Sequence, residues 1–163
     1  MNTQQIEDQI VSALKSIPSQ FPNGGSNREW TKAILLAIGK LGQELNYQVC
    51  GLREHFQSAW LFDLCWYSST APDGKLLDMP LALESEWDVK YEGIKYDFEK
   101  LLIAKSKFKV LVFQARGQTA TDYYKEFEQG IRTYQGGSSG EIYLLACFDE
   151  DKWEFEIKRI EGA

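Results

Sequence analysis

Two short runs, Val110–Phe113 and Ile142–Phe148, are apolar at every position. A strand with one wet face alternates between apolar and polar residues, so a strand that does not alternate must be covered on both faces. Covering both faces of a sheet takes helices, and the chain supplies them between its strands. This combination excludes an all-helical bundle and a sheet open to solvent on one side, and points to an α/β protein.

The remaining elements follow from periodicity and punctuation. Ile6, Ile10, Val11 and Leu14 form one stripe over residues 3–16, which predicts a first helix. The breaker-rich stretch Pro18–Gly25 ends it. Ser26 and Glu29 have capping-box spacing and open a long helix over 27–45, with Trp30, Ile34, Leu35, Ile38 and Leu41 on its apolar face. Three strands are expected in succession, at 46–52, 59–67 and 80–87, with a turn at Pro72-Asp73-Gly74 before the third and Pro80 as its first residue. A helix over 94–106, the strand around 110–113, a helix over 120–135 stopping at Gly136-Gly137, and strands at 142–148 and 153–160 complete the order α-α-β-β-β-α-β-α-β-β. The last strand alternates Trp153, Phe155 and Ile157 with Glu154, Glu156 and Lys158, so one of its faces is expected to be wet.

At 163 residues, with 44% hydrophobic, the chain suits one domain over residues 1–163. Its N-terminus is polar and acidic, with no basic start and no apolar run, so no signal peptide is expected. No stretch approaches the roughly 20 apolar residues of a membrane span. Cys50, Cys65 and Cys147 lie inside apolar runs and match no zinc spacing. They read as small buried hydrophobes in a reducing compartment, hence a cytoplasmic protein. The single histidine, His55, rules out a multi-histidine metal site. A net charge of −6 argues against coating nucleic acid by general electrostatics. No GxxxxGK[ST] and no GxGxxG after a strand is present, so nucleotide binding is not expected.

Three carboxylates stand out because they interrupt apolar strands. Asp63 lies within Trp60-Leu61-Phe62-Asp63-Leu64-Cys65-Trp66, and Glu84 and Glu86 end the run Leu81-Ala82-Leu83. A carboxylate in such a strand is costly unless compensated. Glu84 and Glu86 are two apart and share one face, while Leu81, Leu83, Ser85 and Trp87 take the other. If the second and third strands are neighbours, Asp63 can join them, and a hard divalent cation would relieve the repulsion.

This pattern, Asp63, a hairpin of some twenty residues, Glu84-Ser85-Glu86, then a helix and a buried strand, resembles the PD-(D/E)xK nuclease superfamily. The chain also resembles small bacterial proteins with a LALESEW…DFEKLL core. The resemblance covers residues 27–115 and implies a restriction-endonuclease-like αβββαβ core with a central mixed sheet flanked by helices. Residues 1–25 then form an N-terminal helix and loop, and 141–160 the C-terminal strands. It implies that Asp63 and Glu84 ligate Mg²⁺ or Mn²⁺. The motif lysine should stand at position 86, where this chain has Glu86. Some restriction enzymes of the superfamily carry Glu-x-Glu there, and in other members the lysine has moved to the following helix, where Lys100 is the candidate. Glu29 and Gln114 are further candidate site residues.

The implied activity is divalent-metal-dependent hydrolysis of phosphodiester bonds in nucleic acid, with DNA as the expected substrate. The alternative is a non-catalytic member of the fold acting as a binding or interaction protein. Lys105, Lys107, Lys109 and Arg116 form the densest basic cluster, with Phe108 as a stacking surface. A core this small leaves little room for target recognition, so a homodimer or a partner subunit is expected.

Overall fold

The structure, a computed structural model, describes residues 2–70 and 74–162. The expected turn at Pro72-Asp73-Gly74 falls largely outside them. The protein is α/β, with a six-stranded mixed sheet in the order β1-β2-β3-β4-β5-β6, flanked by helices. The strands are β1 (Gln48–Cys50), β2 (Leu64–Ser69), β3 (Leu76–Glu86), β4 (Phe108–Gln114), β5 (Ile142–Asp149) and β6 (Glu154–Glu161). The helices are α1 (Thr3–Ser16), α2 (Asn27–Glu44), α3 (Tyr91–Ile103) and α4 (Gly117–Thr133). No described helix is long and apolar enough to cross a membrane. The chain forms two compact units, Met1–Pro80 and Leu81–Ala163.

In the N-terminal unit, α1 and α2 each begin with a capping box, Asn2 with Gln5 and Ser26 with Glu29. Each box satisfies N–H groups that the first helical turn leaves without partners. Helix α2 buries Trp30, Ile34, Leu35, Ile38 and Leu41, the stripe read from the sequence, and adds Gly39 and Gly42 to it. Both glycines are needed for close approach. A Cβ at Gly42 would lie 2.4 Å from the Trp66 indole, and one at Gly39 2.2 Å from the Phe56 ring. The Trp66 Nε1–H donates to the Ile38 carbonyl at 3.0 Å, so β2 is both packed and hydrogen-bonded onto α2. Strands β1 and β2 are antiparallel, with Cys50 opposite Cys65.

Two strand starts differ most from expectation. Strand β2 starts at Leu64, because Trp60 and Leu61 are 51% and 78% exposed and precede the ladder. Strand β3 runs from Leu76, so Pro80 is an interior residue of the strand and not its first. Its opening residues Leu76, Leu77 and Asp78 are exposed, and burial begins at Pro80.

In the C-terminal unit, residues 81–86 of β3 pair parallel with β4, β4 pairs parallel with β5, and β5 pairs antiparallel with β6. Helices α3 and α4 are the crossovers of two successive parallel connections. Equal handedness sends both to the same sheet face, and there they meet: Phe98 stacks on Phe127 with ring centroids 4.5 Å apart. Phe113 of β4 meets Phe127 edge-on at 5.8 Å. Such aromatic pairs add about 0.5–1.5 kcal/mol to their burial. Strands β4 and β5 are buried almost throughout, as their unbroken apolar runs require. Strand β6 departs from the single wet face read in the sequence. Ile160 is 5% exposed, and Lys158 donates to Glu128 of α4 at 2.6 Å, so α4 partly covers the face that looked polar.

Candidate active site

The register fixes where the strand carboxylates point. Glu84 lies beside Leu111 and Glu86 beside Phe113 across the β3–β4 ladder. Phe113 faces α4, so both glutamates share the face that carries the helices. Trp87, on the opposite face, meets Phe148 and Phe155 at 6.2 and 6.5 Å. The alternation read from the sequence therefore holds across this stretch.

Glu84 is 1% exposed and closes the buried run that begins at Pro80. Its compensation comes from α3: the Lys100 ammonium lies 2.6 Å from Glu84 Oε1. The same ammonium is 3.4 Å from Asp97 Oδ1 and 5.9 Å from the centre of the Tyr96 ring. Residues three and four apart on a helix share a side, so Asp97 and Tyr96 flank Lys100 on its own element. The lysine side chain is 27% exposed, against 14% for Asp97. Its apolar stem spans from the helix surface down to the sheet, as long amphipathic side chains do. The result is a carboxylate–ammonium–carboxylate group with a net charge of one negative.

Glu86 ends the strand half-buried. Its Oε1 accepts from the Asp88 N–H at 2.7 Å. Its Oε2 faces Gly93 in the first turn of α3, where an added Cβ would come within 3.3 Å. A carboxylate at that end of a helix is favoured by the dipole.

The other candidates are placed differently. Asp63 was expected in mid-strand, but it occupies a bend just before β2 and is half-buried. Its carbonyl oxygen is where a Cβ at Gly51 would collide, at 2.7 Å. Glu29 is engaged in its capping box, with Oε2 accepting from the Ser26 N–H at 2.8 Å and hydroxyl at 2.7 Å. Those two bonds hold its carboxyl below the usual glutamate range. Gln114 belongs to the strand face opposite Glu84 and donates to Glu150 at 3.3 Å, so the structure does not bring it to the Glu84 group.

The basic cluster read from the sequence reaches solvent only in part. Lys105, Lys107 and Arg116 are exposed, while Lys109 is fully buried and Phe108 is 3% exposed, so the last two do not meet solvent. Lys107 is bound to the Gly140 carbonyl. Arg116 pairs with Glu150 beyond the far end of β4, roughly 20 Å of strand away from Lys107.

Sequence reasoning also missed two sets of residues. Asp97 had a signal, its three-residue spacing from Lys100. The second set surrounds Lys109, whose ammonium donates to Glu141 at 2.7 Å, to the Tyr143 hydroxyl at 3.0 Å and to the Leu102 carbonyl at 3.3 Å. Burial pushes the Lys109 pKa down, partly offset by Glu141. Burial, then the Glu141 charge, push the Tyr143 pKa up. Nothing local in the sequence marks this group.

Among the described residues, no group of three or more His, Cys, Asp or Glu side chains gathers as a ready-made metal site. The carboxylates drawn together around Lys100, Glu84 and Asp97, are hard oxygen donors of the kind Mg²⁺ and Mn²⁺ prefer. The donor chemistry thus fits such an ion, and the cation now resting on Glu84 is an ammonium. Comparison with family models, with curated proteins and with solved structures gives no match.

Proposed function

We propose that the chain is a cytoplasmic, divalent-metal-dependent nuclease that hydrolyses phosphodiester bonds, with DNA as its substrate. One observation carries this reading: a carboxylate, Glu84, held almost fully buried on the helix-covered face of the sheet, with the Lys100 ammonium 2.6 Å away. The resemblance in sequence asks for this pair, a glutamate at the end of an apolar strand and a lysine relocated to the next helix. Burial lowers the local dielectric and strengthens every charge interaction made there.

In this reading Glu84 holds Mg²⁺ or Mn²⁺ through its carboxylate, and Asp63 enters as a further ligand on the strength of the sequence alone. When bound, the ion polarises the phosphate and lowers the pKa of a water. Glu86, held at the start of α3, orients the attacking water. Lys100 offsets negative charge that develops on the phosphoryl oxygens.

A second reading treats the Glu84–Lys100 pair as structural and the protein as a non-catalytic binding or interaction module. The burial of Lys109 and the engagement of Lys107 with Gly140 and of Arg116 with Glu150 favour it, since they weaken the basic cluster that was expected to meet a nucleic acid backbone.

Cleavage assays on DNA and RNA with Mg²⁺ or Mn²⁺ separate the two. The nuclease reading expects Glu84→Gln and Asp63→Ala to fall to background, and Lys100→Met to lose about 10²–10³-fold, the scale for one charge-stabilising donor. Cleavage that is equal in wild type and Glu84→Gln, or none with either metal, returns the protein to the second reading.

A further inference from the structure

Glu84, Lys100 and Asp97 are arranged for more than one pairing. The ammonium sits between two carboxylates, nearer the buried one at 2.6 Å than the helix-borne one at 3.4 Å. Asp97 and the Tyr96 ring both belong to α3, the helix that carries Lys100. Rotation about the flexible four-carbon stem moves the ammonium off Glu84 while it stays beside Asp97 and Tyr96, with no change in the backbone. The partners needed for a second position are already in place, and Lys100 is exposed enough to reach it.

We propose that Lys100 is the resting counter-ion of Glu84, and that its ammonium and a divalent cation exchange on the Glu84 carboxylate, with Asp97 receiving the displaced lysine. This inference rests on the metal reading above and adds how the site is controlled. Exchange changes the local charge from one negative to one positive. At rest the group repels a phosphodiester; after exchange it attracts one, and Lys100, now beside Asp97, is turned off Glu84 toward where the phosphoryl oxygens would sit. The cation is then the condition for substrate entry as well as a participant in the chemistry. A carboxylate left buried without a counter-ion is strongly unfavourable, so the lysine also keeps the metal-free protein folded.

Titration of Mn²⁺ into the full-length protein without nucleic acid, followed by calorimetry, tests the exchange directly. Lys100→Met removes the competitor and is expected to bind Mn²⁺ at least tenfold more tightly than wild type. Asp97→Asn removes the landing site and is expected to bind severalfold more weakly. If Lys100→Met fails to fold, the wild type carries the test. Labelling by acetic anhydride, read by mass spectrometry against Lys95 as internal reference, should rise at Lys100 when Mn²⁺ saturates the protein. Equal Mn²⁺ affinity in wild type and Lys100→Met, or unchanged Lys100 labelling at saturation, overturns the exchange and leaves the metal reading standing. Absence of Mn²⁺ binding in wild type and every variant overturns both.

Discussion

A lysine with no water around it survives only if its charge is matched. Lys109 is matched by Glu141, which is 32 positions away in the chain and 2.7 Å away in space. The pair is 0% and 11% exposed at the side chains, so it belongs to the class in which loss of one partner leaves a stranded charge. Glu141→Gln is expected to lower stability in urea unfolding by roughly 3–5 kcal/mol, whereas the double change Lys109→Met with Glu141→Leu should be close to neutral or stabilising. A loss below about 1 kcal/mol for Glu141→Gln, the scale of an exposed pair, would show that water reaches the site. Lys109 also shows where sequence reading stops. Flanked by Lys105 and Lys107, it looks like one of a solvated run, and only the register that sets it beside Tyr143 reveals otherwise. Glu84 is the opposite case. A carboxylate that interrupts Leu81-Ala82-Leu83 is anomalous on local grounds, and the anomaly led to the buried ion pair.

At the scale of elements, helix α2 carries a conflict between local preference and packing. Glycine in a helix interior costs roughly 0.5–1 kcal/mol relative to alanine, so Gly42→Ala would stabilise an isolated helix. Here the added methyl would meet the Trp66 indole at 2.4 Å. That contact also supports the hydrogen bond from Trp66 to Ile38. Gly42→Ala is therefore expected to destabilise by about 1–3 kcal/mol, the usual cost of overpacking, measured as a lower urea midpoint with unchanged slope. A midpoint at or above wild type would mean that β2 yields easily.

The same elements explain which boundaries were legible. Helix periodicity and capping boxes placed α1 and α2 almost to the residue. Strand starts were read less well. Trp60 and Leu61 have the composition of a strand yet lie outside the ladder, and Leu76 and Leu77 lie within it yet are exposed. Apolar content marks a strand only where something covers it, and that depends on other elements. Asp63 moved from mid-strand to a bend for this reason.

For the molecule as a whole, the α/β class followed from two facts, unbroken apolar runs at β4 and β5 and helical periods between strands, whereas the mixed sheet was an implication of the resemblance that the strand pairing bears out. The shared face of Glu84 and Glu86 was equally legible, because a strand has a period of two. The link between Lys100 and Glu84 came from the family resemblance, and Asp97 came from neither. It is seen only once α3 lies over the sheet. The chain carries a net charge of −6, so under the proposed reading the positive charge gained at Glu84 is what would draw in a polyanion.

The most direct measurement is a crystal soaked in Mn²⁺ and examined for anomalous density. A peak about 2.1 Å from a Glu84 oxygen, with the Lys100 ammonium turned toward Asp97, is the predicted result. A saturating soak that leaves Lys100 on Glu84 and no peak beside that carboxylate would contradict the account.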